Sequence, residues 1–270
     1  MNKFTYDMML SPYPIRLSIG TLRKPTLEEI FKDIGFEQYQ SFEGFTRLTP
    51  EIFYTKMNDE EGLKIWDSFT DLQKQKLTLF NVVKSDPDLA HDYVELFNAF
   101  FEEQVIFEEG YFVWLDKSFD VDLLQEENAE LPKNAVVGVV GKSEIFQEVL
   151  QAIQQVCCCY EDTDNKDVKF KNAVAEKLYK RMKQAEAEKK IREESDKKYS
   201  LPNIISAVSN NHPTISPLNV YQLTVFQLID AFQRRQNNIS FDMHSLSVSV
   251  WGDKEQKFDP NVWFANNYDK

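Results

Sequence analysis

Apolar positions along this chain change density twice. Over residues 1–160 they are dense, and they recur mostly at helical spacing. Over 161–199 they thin to a few isolated positions, and over 200–270 the helical spacing returns. Lys3–Leu10 and Ile15–Ile19 read as two short strands around the turn Ser11-Pro12-Tyr13-Pro14, with Gly20 ending the second. Thr26 followed by Glu29 is a capping box and predicts a short helix to Ile34, where Gly35 breaks it. Phe36, Tyr39, Phe42 and Phe45 recur every third residue and predict one aromatic helix face, whose ordinary use is core packing. Thr49-Pro50-Glu51 opens another short helix, with proline at its first position.

Leu63–Phe69 and Asp71–Val83 read as helices, with Thr70 and Gln73 forming a second capping box between them. Asp86-Pro87 opens a helix to about Glu102, and its face carries Tyr93, Leu96, Phe97, Phe100 and Phe101. The period then changes. Val105–Phe107 and Tyr111–Leu115 predict a hairpin through Gly110. Asp116–Glu130 is an acidic loop, Ala135–Val140 a β-branched strand, and a helix capped at about Ser143 runs to Val156.

Lys171–Lys198 predicts one long helix, charged almost all round. Its few apolar positions, Val174, Leu178, Met182, Ala185 and Ile191, form a stripe too narrow to anchor a core. Two readings stay open for it: a solvated bridge between two bodies, or a seam for a partner helix with Lys and Glu along its edges. Beyond it, Leu201–Val208 is a short helix, and Asn210-Asn211-His212-Pro213 and Ser216-Pro217 mark turns. Thr224 with Gln227 forms a third capping box ahead of Val225, Leu228, Ile229 and Phe232, and Asn237-Asn238 mark an end or a bend. Phe241–Trp251 fits either period. Leu246, Val248 and Val250 alternate as in a strand, whereas Met243, Leu246 and Val250 fit a helix, which is the reading adopted. Asp259-Pro260 starts a last turn with Trp263 and Phe264 as a docking anchor.

The pattern therefore predicts an α+β, predominantly helical chain. It comprises a larger N-terminal α+β domain over 1–160, an acidic linker with the long charged helix over 161–199, and a smaller helical C-terminal domain over 200–270. At 270 residues with 42% hydrophobic and 13% aromatic content, the chain has ample material for packed cores. Only 8 glycines argue against glycine-rich nucleotide folds.

Charge sharpens the picture. Lys171–Lys198 holds ten Lys or Arg against six Asp or Glu, a net of +4 within a chain of −13, which leaves −17 for the remainder. An acidic body of this kind is a poor nucleic-acid binder, because phosphate contact needs clustered cations. It suits a soluble protein that meets other proteins, or a mimic of DNA.

The candidate chemistry is thin. Gly138-Val139-Val140-Gly141-Lys142-Ser143 lies between a strand and a helix like a phosphate loop, but Val136 stands where the motif needs glycine. Asp162–Asp167 starts like a calcium loop and then places Asp167 where glycine is required. Glu102, Glu103, Glu108 and Glu109 cluster by the hairpin, a surface for solubility before acid–base chemistry. Cys157, Cys158 and Cys159 are consecutive and have no other cysteine to pair with, which fits a reducing compartment and buried thiols at a helix end. His91, His212 and His244 stand alone, and no Gly-x-Ser-x-Gly is present. The expectation is a non-enzymatic protein with no cofactor and no metal. The N-terminus has no apolar run of a secretory signal and no stretch approaches membrane-span length, so a soluble intracellular protein is expected.

Three C-terminal stretches carry a resemblance: Ser200–Ser209, Asn219–Phe232 and Val250-Trp251-Gly252-Asp253. The openings Ser11–Ile15 and Gly20–Ile30 share it. In these the chain resembles proteins of bacteriophage tail gene clusters from Gram-positive hosts, and with its acidic, helical character it resembles phage tail assembly chaperones. The resemblance covers a minority of the chain, and its motifs are structural. It implies a factor of the host cytoplasm, absent from the mature virion, that binds tape-measure protein and recruits tail-tube subunits. No functional residue transfers one by one. The surfaces to be considered are Leu178, Met182, Ala185 and Ile191 on the charged helix, the aromatic face Tyr39, Phe42 and Phe45, and the C-terminal Phe226, Phe232 and Trp263. Competing expectations are an acidic phage-encoded inhibitor of a host protein that mimics DNA, and a structural tail component.

Overall fold

The computed structural model describes residues 3–57, 60–119, 132, 134–159, 200–253, 258–266 and 268. The chain divides into two compact units, residues 1–159 and 160–270. The expected helix over 171–198, the acidic linker before it and most of the acidic loop 116–130 lie outside the described residues.

The first unit opens on a correction. Residues 6–10 form a helix, α1 (Tyr6–Leu10), where the pattern predicts a strand. Met9 is fully buried, and the ammonium of Lys24 donates to the carbonyls of Met8 and Ser11, groups that the end of a helix leaves unpaired. The residue that ends this helix is thus remote in sequence, where a local pattern does not reach. β1 (Ile15–Leu17) pairs antiparallel with β2 (Gly20–Leu22), so Gly20 opens a strand instead of closing one. A Cβ at Gly20 would stand 2.9 Å from both the Glu103 carboxylate and the Trp114 ring, and only glycine permits that approach.

α2 (Leu27–Glu29) continues through a π-turn, Ile30–Ile34. Its capping box forms as the sequence predicts, with the Thr26 amide donating to Glu29 Oε2 at 2.8 Å. α3 (Phe36–Thr46) follows, then α4 (Pro50–Ile52) with a second π-turn, Phe53–Met57. α5 (Glu60–Ser68), α6 (Asp71–Lys76), α7 (Leu79–Ser85) and α8 (Pro87–Phe100) complete the helical run. The single helix expected over Asp71–Val83 is two. Leu77 turns extended, and Thr78 restarts the chain by accepting the Asn81 amide at 3.3 Å.

β3 (Gln104–Glu108), β4 (Tyr111–Leu115) and β5 (Val136–Val140) form one antiparallel sheet in that order, and α9 (Ser143–Val156) closes the unit. The core lies between this sheet and α7, α8 and α9. Phe97 of α8 sits 5.0 Å edge-on to Phe112 and 5.3 Å from Trp114, and Phe146 of α9 stacks on Phe112 at 5.7 Å. β4 is buried on both faces from Phe112 to Leu115, which is why its sequence runs apolar without alternating. The β1–β2 turn meets the sheet on the face that carries Trp114: a Cβ on Gly138, the partner of Trp114 in β5, would lie 2.3 Å from the Ile19 carbonyl oxygen. The Thr21 amide donates to Glu103 Oε2 at 2.7 Å and the Arg23 amide to the Phe100 carbonyl at 2.7 Å, tying the hairpin to the end of α8.

Every helix or strand element described in the second unit is helical. It contains α10 (Leu201–Asn211), a 3₁₀ turn (Val220–Gln222), α11 (Val225–Trp251) and a last 3₁₀ turn (Val262–Phe264). α11 is continuous, and neither Asn237-Asn238 nor the alternating Leu246, Val248 and Val250 interrupts it. The whole is an α+β, predominantly helical fold with a helical C-terminal region.

Candidate interaction surface

The glycines of the apparent phosphate loop serve packing. Gly138 admits the Ile19 backbone, and a Cβ at Gly141 would stand 2.4 Å from the Tyr111 ring. The three cysteines end α9. Cys158 takes the left-handed conformation (φ 57°) that stops a helix, and its amide donates to Gln155 O at 3.1 Å. Cys157 and Cys159 are buried beside α3. Burial pushes the thiols of Cys157 and Cys158 up from the ordinary range, away from the reactive thiolate. Burial likewise raises the neighbouring Glu43 carboxyl and Tyr39 hydroxyl. Glu103 of the acidic cluster is spent on the Thr21 amide. Among the described residues no group of three or more His, Cys, Asp or Glu is placed to hold a metal ion, and no helix is long and apolar enough to cross a membrane.

The surfaces named from sequence separate on folding. Tyr39 and Phe42 are core, each 6.4 Å from the Phe100 ring, and Phe45 packs half-buried on Tyr93. Phe226 is also buried, with Tyr268 edge-on at 5.3 Å. Phe232 is half-buried, and Trp263 is half-exposed against Phe264. Leu178, Met182, Ala185 and Ile191 lie outside the described residues.

The feature that a residue-by-residue reading misses is a stripe along α11. Val225, Ile229, Phe232, Gln236, Ile239, Met243, Leu246 and Val250 follow one another at alternating steps of four and three, the repeat of a coiled-coil seam. The first half of the stripe is covered. α10 packs on α11, and Val225 and Leu228 join Ile204, Ile205 and Val208 in the unit's core. The second half is bare: Ile239, Met243, Leu246 and Val250 are 44%, 67%, 67% and 61% exposed, and Trp251 is 77% exposed. Among the described residues the C-terminal segment does not cover it. Phe258 packs on Phe241 and Tyr268 on Phe226, positions on a different face of the helix.

An open hollow of about 320 Å³ lies on this stripe, lined by Gln236, Ile239, Ser240, Met243 and His244. All five residues come from one helix, so the hollow encloses nothing. It lacks the concave enclosure of a small-molecule site. The signal is present in the sequence as the 4–3 repeat. The alternation of Leu246, Val248 and Val250 and the Asn237-Asn238 pair mask it.

No curated protein and no solved structure matches the chain. Residues 190–268, the part of the chain that carries α10 and α11, match the family model described as the YomV second domain, from a phage-derived Bacillus protein family.

Proposed function

We propose that this chain is a non-enzymatic phage protein that binds apolar helices of other proteins, and that it acts as a tail assembly chaperone. The observation that carries the reading is the bare half of the α11 seam, with Ile239, Met243, Leu246 and Val250 exposed in one line. Four apolar side chains on one helix face form a contiguous patch of the kind that marks a binding surface. A seam of 4–3 spacing accepts a helix by inserting side chains between its own.

A tape-measure protein, long and helical, presents such helices before the tail tube encloses them. An acidic carrier with a net charge of −13 keeps a bound, sticky client in solution. In this reading the protein works in the host cytoplasm, is absent from the mature virion and helps bring tail-tube subunits to the covered client. The phage-derived match over residues 190–268 supports the setting.

The test is co-expression of the tagged chain with the products of neighbouring genes, followed by pull-down and mass spectrometry. Recovery of a long, helix-rich partner that is insoluble alone, and its loss with Leu246→Asp, is the expected result. Recovery of the chain by itself, or of a host protein with or without the substitution, overturns the chaperone assignment.

A further inference from the structure

We draw no further inference here: the strongest candidate, the exposed second half of the α11 seam from Ile239 to Val250, is an unpartnered apolar face, and nothing in the structure shows what covers it.

Discussion

The two units differ in how far they bury their large aromatic side chains. In the first, Phe97, Phe100, Phe101, Phe112, Phe146 and Trp114 are all at most 2% exposed. In the second, Trp251, Trp263 and Phe264 are 77%, 50% and 52% exposed. The difference follows from architecture. A three-stranded sheet backed by α7, α8 and α9 offers a broad face, and rings from α8, β4 and α9 meet on it. α11 has 27 residues and spans about 40 Å, whereas α10 has 11 and spans about 16 Å, so a second helix of that length covers only part of the first. The rings of unit 1 close a core, whereas unit 2 leaves half of a seam exposed among its described residues.

The largest expected effect lies in the closed unit. Phe97→Ala removes the ring shared by Phe112, Trp114 and Phe146 and costs about 3–5 kcal/mol by urea denaturation followed by tryptophan fluorescence. Next comes Gly138→Val. Its side chain would drive the Ile19 carbonyl off β5 at about 1–3 kcal/mol, read as a lowered midpoint and faster exchange of the Thr21 amide. A cost near zero would mean that the hairpin is not docked on β5.

Smaller effects come from two carboxyl groups of the same unit with opposite pH signs. Burial pushes the Glu29 carboxyl up, but the Thr26 amide and hydroxyl and the Arg23 guanidinium outweigh it and hold it below the ordinary range. A lowered folded value gives stability that is present above the unfolded value near 4.5 and is lost as pH falls through the folded one. Glu29→Gln therefore lowers the melting temperature at pH 7, and the gap from wild type closes under strong acid.

Burial raises Glu43 past the help of Cys159, Arg47 and Tyr39. The folded chain then binds the proton more tightly than the unfolded one, and stability rises as pH falls toward 4.5. Glu43→Gln should raise the melting temperature at pH 7, with the advantage shrinking on acidification. If Glu43→Gln instead lowers stability at pH 7, the Glu43 charge is held by its neighbours.

The smallest effect is the one that defines the comparison. At a concentration where the chain is monomeric, Leu246→Ala should change stability by less than about 0.5 kcal/mol, although it removes as much apolar volume as a core leucine. A cost of several kcal/mol would mean that the seam is already covered within one chain.

Local signals in the sequence hold where the partner groups are three residues apart. The capping boxes Thr26–Glu29, Thr70–Gln73 and Thr224–Gln227 all form as expected. So do the hairpin through Gly110 and the strand-to-helix step at Ser143. The pattern misleads where the deciding partner is distant. The stretch Lys3–Leu10, strand-like by its spacing, contains α1 because Lys24 supplies the helix's missing donors. Asn237-Asn238 does not stop α11, since asparagine inside a helix costs only about 0.7 kcal/mol and no left-handed residue intervenes before Gly252. Of the candidate site, the repeat from Val225 to Val250 is legible, but which half is bare is not, because exposure depends on where α10 ends.

By itself the sequence determined the helical character, the helix starts marked by capping boxes, the acidic balance and the absence of a recognisable catalytic motif. These depend on residue types and short spacings, which act before the chain folds. Only tertiary structure decided that Tyr39, Phe42 and Phe226 are core while Ile239, Met243, Leu246 and Val250 face outward. Equal hydrophobicity gives all of these side chains the same drive to leave water. Which of them succeed depends on whether the fold brings another surface to that side of the helix, and along the second half of α11 none of the described residues does.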